Sequence, residues 1–159
     1  MAGGWQVSGI ATLRAGAPFG VQVTNGPRDI LGDNANGTNL RANIVGDINL
    51  PVDQKGTPAV GQRGIQWFNT AAFASPARYT YGNSARAIML GPGRINFDTA
   101  ISRNIRVRER YRLQFRWEAF NAFNTPVFGL PGSNLGGGGF GISTASGVRE
   151  MQFALKLYY

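Results

Sequence analysis

The stretch Arg149-Glu150-Met151-Gln152-Phe153-Ala154-Leu155-Lys156-Leu157-Tyr158-Tyr159 decides the fold class. Met151, Phe153, Leu155, Leu157 and Tyr159 take alternate positions, with Glu150, Gln152, Ala154, Lys156 and Tyr158 between them. That is the period of two that a half-buried strand requires, whereas a helix would scatter the same apolar side chains around its circumference.

Further upstream, Tyr111, Leu113, Phe115, Trp117, Ala119 and Phe123 oppose Arg112, Gln114, Arg116, Glu118, Ala122 and Asn124, with Phe120 and Asn121 out of step near the end. From Ile95 to Val107, Ile95, Phe97, Ile101, Ile105 and Val107 alternate with polar residues, and Arg103 breaks the apolar side. A looser alternation runs from Trp5 to Val23, interrupted by Ile10 and by Gly16-Ala17-Pro18, which suggests a bulge. The patterns predict an all-β chain, an antiparallel meander of about four long strands near 4–24, 95–107, 111–124 and 149–159.

Composition narrows the chemistry. The chain has 159 residues, the size of one ordinary domain, and its 43% hydrophobic and 15% charged content suits a packed core rather than disorder. With 0 Cys and 0 His, it has no disulfide framework, no thiolate or imidazole metal site and no Ser-His or Cys-His catalysis. No run reaches the length of a transmembrane helix, and Met1-Ala2-Gly3-Gly4-Trp5 lacks the layout of a signal peptide. The net charge of +8, nearly all from Arg, favours anionic partners without choosing among nucleic acid, lipid headgroups and acidic small molecules.

The connections differ in length. Arg108-Glu109-Arg110 is a tight turn, whereas residues 125–148, with Gly136-Gly137-Gly138-Gly139, and residues 25–94 are long and rich in turn formers. Long loops are uncommon in compact soluble domains, but outer-membrane barrels alternate short periplasmic turns with long extracellular loops. About ten residues at roughly 3.3 Å each, tilted by about 45°, span about 23 Å, close to the apolar band of such barrels. Tyr111, Tyr158 and Tyr159 at one end and Phe123 and Phe128 at the other fit interfacial girdles. Four strands do not close a barrel, so an incomplete barrel is expected.

Trp67-Phe68-Asn69-Thr70-Ala71-Ala72-Phe73, Tyr81-Gly82-Asn83-Ser84-Ala85-Arg86, Gly91-Pro92-Gly93-Arg94 and Asn96-Phe97-Asp98 together resemble the C-terminal barrel of Oar-like TonB-dependent outer-membrane receptors. Gly3-Gly4-Trp5-Gln6-Val7-Ser8-Gly9 and Phe115-Arg116-Trp117-Glu118-Ala119-Phe120-Asn121-Ala122-Phe123-Asn124 fit the same pattern. The resemblance implies a C-terminal barrel fragment in the outer membrane of a Gram-negative-type bacterium, lacking the plug domain. Its implied partners are outer-membrane lipid, the rest of the barrel and plug, and TonB through the missing N-terminal part. The implied function is energy-coupled uptake of a substrate such as a metal chelate or oligosaccharide, with no cofactor. The aromatic terminus, with Phe153, Leu155, Leu157 and Tyr159, resembles the signal read by the barrel-insertion machinery.

Candidate site residues follow from the faces. Arg14, Asp98, Arg106, Arg112, Arg116, Glu118, Glu150 and Lys156 are candidates to line the lumen, where confined positive charge favours an anionic substrate; the bland alternative is that they pair with one another and with the plug. Trp67, Phe68, Phe73, Tyr79 and Tyr81 are external-loop candidates for stacking on a sugar or chelate, or else form a loop core. Gly136-x-Gly138-x-x-Gly141 matches a dinucleotide fingerprint without its strand or helix, and Asp33 to Asn39 misses calcium-loop spacing. Asp98, Glu118 and Glu150 give no sign of converging as a glycosidase pair, so no catalytic residue and no metal site is expected.

Two other functional classes fit the pattern. One is a soluble basic β-rich module for nucleic acid or polysaccharide, supported by Arg112, Phe115, Arg116 and Trp117, although its basic and aromatic residues sit on opposite faces of one strand. That opposition argues against nucleic acid as a partner. The other is a surface barrel that transports nothing.

Overall fold

Four long strands, Trp5–Arg14, Arg94–Arg106, Arg112–Phe120 and Glu150–Tyr158, pair in chain order as one antiparallel sheet. The computed structural model describes residues 4–23, 40–59, 61–77 and 79–159. No helix among them is long and apolar enough to cross a membrane, and the sheet is open, an incomplete barrel. The expected Asp33 to Asn39 turn lies outside the described residues, as do Gly3 and the end of the first alternation at Thr24.

All three ladders pair odd residues with odd and even with even: Val7 with Ile101, Ile101 with Trp117, Trp117 with Phe153. Since a one-residue slip would send each side chain to the other face, this register gathers four sequence alternations into two continuous surfaces. The second and third strands meet at a tight turn, where the Val107 N–H donates to the Tyr111 carbonyl at 3.0 Å and the Tyr111 N–H to the Arg108 carbonyl at 3.2 Å.

The third strand was expected to run to Asn124 but stops at Phe120. Asn121 and Asn124 adopt φ of 51° and 53°, a left-handed conformation that ends a ladder and that Asn tolerates. Asn121 then holds the turn with its side chain, accepting from the Thr125 N–H at 2.9 Å and donating to the Thr125 carbonyl at 3.0 Å. The Asp98 carboxylate accepts the Asn121 N–H at 2.9 Å. Phe97 and Phe123 meet edge to face at 5.2 Å between ring centroids.

The first alternation is likewise shorter than the expected 4–24. Its strand ends at Arg14, and Pro18–Phe19 and Gln22–Val23 belong to a different body. A Cβ at Gly16 would stand 1.7 Å from the Gly91 carbonyl oxygen, so two backbones approach there as only glycine allows. The chain divides into two compact units: Met1–Arg14, Arg94–Val127 and Ser146–Tyr159 form the sheet unit, and Ala15–Gly93 with Phe128–Ala145 the other.

The second unit is built from segments expected as loops together with residues 15–23 of the expected first strand. Two-residue ladders stitch it: Pro18–Phe19 with Met89–Leu90, Gln22–Val23 with Leu40–Arg41, Asn43–Ile44 with Phe73–Ala74, and Ile65–Gln66 with Ile142–Ser143. Ladders this short are weak alone, and apolar burial holds them. Phe19, Val21, Val23, Ala42, Phe68, Ala72 and Phe73 form the core. Asn83 substitutes for a strand: its Oδ1 accepts the Ile44 N–H at 2.7 Å and its own N–H donates to Asn43 Oδ1 at 3.0 Å. Asn69 caps the turn Thr70–Ala72 by accepting the Ala71 N–H at 3.1 Å.

Candidate functional site

The register turns the sheet into a two-sided element, and the polar side carries the candidate site. Arg14, Asp98, Arg106, Arg112, Arg116, Glu118, Glu150 and Lys156 are all at even positions in matched ladders, so the sheet brings them to one face. The opposite face carries Val7, Leu13, Ile101, Trp117, Phe153, Leu155 and Leu157, and Phe153 is 69% exposed. A side chain of that size left uncovered forgoes about 1.5–3 kcal/mol of burial, so this face requires an apolar surrounding.

Charge on the polar face is sorted along the strands. Toward the tight turn, Arg106 and Arg112 are direct cross-strand partners, and Lys156 is opposite Gln114 on the next ladder. Like charges placed opposite one another repel, and an anion relieves the repulsion. Arg106, Arg110 and Arg112, with Asn104, Gln114, Tyr158 and Tyr159, line a concave site of about 670 Å³, and none of these side chains is acidic. The Tyr158 hydroxyl donates to Gln114 Oε1 at 3.3 Å, which fixes two of the neutral groups.

Toward the other end the carboxylates appear, Asp98 and Glu118 each beside a donor. Arg116 Nε donates to Glu118 Oε1 at 3.1 Å, a pair two residues apart on one strand. Asp98 Oδ1 also accepts from Asn96 Nδ2 at 2.9 Å. Glu150 is level with Phe120, and Arg14 faces Arg94 across the first ladder. Sequence reasoning missed Arg94 and Arg110. Arg94 lies just outside the expected strand and Arg110 within the expected turn, though three arginines within five residues are a signal that the turn is cationic.

The aromatic candidates divide. Phe68 and Phe73, 2% and 6% exposed, are core residues of the second unit and offer no face to a ligand, because they pack edge to face on each other at 5.5 Å. Trp67 is half-buried, its indole N–H donating to the Leu90 carbonyl at 2.9 Å. It borders a cleft of about 530 Å³ with Ile48, Leu50, Gln66 and Ile88. Tyr79 and Tyr81 are exposed. Phe153, Leu155 and Leu157 share the apolar face of the last strand, and Tyr159 follows its end. Gly136, Gly138 and Gly141 belong to a turn segment without the strand and helix of a dinucleotide site.

Comparison with known proteins agrees with this geometry. Residues 1–152 match the model of the outer membrane beta barrel domain. No curated protein and no solved structure matches the chain. An antiparallel sheet with one face apolar but for Arg103 and one charged face, and a family match over nearly its full length, lead to one conclusion: the chain belongs to the outer membrane β-barrel domain family and resides in the outer membrane.

Proposed function

We propose that the chain is the C-terminal part of a TonB-dependent, Oar-like receptor barrel, with its polar face toward the lumen and its apolar face toward lipid. The observation that carries this reading is the cluster of Arg106, Arg110 and Arg112 in a cavity lined by no acidic side chain. In a confined space of low dielectric, such a cluster raises the local concentration of an anionic substrate such as a metal chelate, or grips an acidic segment of a plug. The quoted motifs around Trp67, Tyr81 and Asn121 support the receptor family. The separation of Arg112 and Arg116 from Phe115 and Trp117 on opposite faces disfavours single-stranded nucleic acid, which needs cations and stacking rings on one surface. We assign the chain no catalytic step.

Uptake of radiolabelled ferric citrate and of a labelled malto-oligosaccharide, in cells with and without the full-length protein, tests the proposal. Uptake of at least one should depend on the protein and vanish when the proton-motive force is collapsed. Protein-independent uptake of both would favour a surface barrel that transports nothing.

Orientation is part of the same proposal. With the C-terminus periplasmic, residues 15–93 and 128–145 are external and the turn at Arg108 to Arg110 is internal. Gly138, whose missing Cβ would meet open space, and exposed Glu109 are suitable reporters in a chain with no Cys. In intact cells an impermeant maleimide should label Gly138→Cys and spare Glu109→Cys. The reverse pattern would invert the topology.

A further inference from the structure

On the apolar face of the four strands, Arg103 is the one charged residue among those described. It belongs to the second strand, which is paired on both sides, so its lateral neighbours are known: Trp5 across one ladder and Phe115 across the other. Ile101 and Ile105 are its neighbours along the strand. None of these carries a carboxylate. The guanidinium carbon stands 4.9 Å from the centroid of the Trp5 ring, a cation–π arrangement. Its Nε is buried and has no hydrogen-bond partner. A guanidinium held on an aromatic face, flanked by apolar groups and left with a free donor, is a half-built anion site.

Depth identifies the anion. Arg103 precedes the strand end at Arg106 by three residues, about 7 Å along the membrane normal for a strand tilted by about 45°. That gap is about the length of an arginine side chain, so a phosphate settled at the interface comes within reach of the fork. The Tyr111 ring at the same end of the sheet marks an interface. We propose that Arg103, Trp5 and Phe115 form a site for an anionic glycerophospholipid of the inner leaflet: the phosphodiester accepts from the guanidinium while an acyl chain lies along Phe115 and Ile105. This rests on the reading that the odd-numbered face meets lipid and that the tight turn is periplasmic. A lipid with net negative charge is favoured over a zwitterionic one, because no carboxylate nearby offsets the arginine.

The full-length protein, extracted from outer membranes and exchanged into nanodiscs of phosphatidylcholine with phosphatidylglycerol, is read by native mass spectrometry for retained lipid. The wild type should hold phosphatidylglycerol in preference to phosphatidylcholine. Arg103→Gln should lower that retention about tenfold, the worth of one charge-assisted contact, and Arg103→Lys, lacking the fork, should fall between. Heat-modifiable migration on cold gels checks folding of each variant. Should Arg103→Gln fail to fold, Trp5→Leu takes its place: it keeps the charge, removes the ring that holds it and should also weaken retention. Equal retention in wild type and variant overturns the site, as does a variant that only converts a dimer to a monomer, since the occupant is then a second copy. If Phe153→Arg is penalised while retention ignores Arg103, this site fails and the facing stands; if Phe153→Arg is tolerated, the facing itself fails.

Discussion

Phe153→Arg should destabilise the full-length protein in a bilayer by about 2–4 kcal/mol, while Gln152→Arg changes stability by no more than about 0.5 kcal/mol. The two residues are adjacent in sequence and differ only in the face they occupy. Phe153 stands opposite Trp117, whose other partner is Ile101, in a row near the middle of the sheet. On the proposed facing that row is close to the bilayer midplane, where a cation has the least access to headgroups. Gln152 is opposite Glu118, so an arginine there gains a carboxylate neighbour on a wetted surface. Urea titration of each variant folded into phosphatidylcholine vesicles, followed by cold-gel migration, measures the difference. Equal tolerance at the two positions would refute the assignment of faces.

The sheet was legible because membrane strands have little freedom in sequence. Each residue must suit either lipid or lumen, so parity alone assigns a face, and the ladders keep that parity without a slip from Trp5 to Tyr158. The strand ends were less legible. Phe120, Asn121 and Phe123 still alternate approximately, but two asparagines in left-handed conformation outweigh the pattern, and Phe123 turns to pack on Phe97 instead of extending the ladder. Phe19, Val21 and Val23 alternate as well as any strand, yet their alternation serves the core of the second unit. Periodicity shows that a segment is two-sided and is silent about which body buries the apolar side.

The polar face was legible residue by residue; its organisation was not. Sequence gives Arg106, Arg112 and Lys156 the same parity, but only the antiparallel register makes Arg106 and Arg112 direct neighbours and adds Arg110 to their cavity. The same register explains Arg103, which the pattern marks merely as a fault on the apolar side. Once Trp5 is across from it, the exception has a partner and a place. The aromatic residues around Trp67 carried two readings that composition does not separate. Burial decides against ligand contact for Phe68 and Phe73, since their rings have no exposed face to stack with.

Phe68→Ala should therefore remove about 3–5 kcal/mol from the second unit, the cost of truncating a fully buried aromatic residue, and leave the four-stranded sheet intact. Phe68 is the hub of that core, with ring centroids 5.9 Å from Phe19, 5.5 Å from Phe73 and 5.3 Å from Phe140. These partners come from segments far apart in the chain, and the ladders between them are two residues each, so few other contacts hold them together. Phe68→Leu, which retains much of the volume, should lose less. Limited trypsin digestion of intact cells reads the result: Arg63 and Arg86 are cleavage sites within residues 15–93, and the alanine variant should be cut there faster than wild type while the protein remains heat-modifiable. Unchanged cleavage in the alanine variant would show that the unit does not depend on this core. Loss of heat-modifiable migration along with rapid cleavage would show instead that the sheet and the second unit fold as one cooperative body.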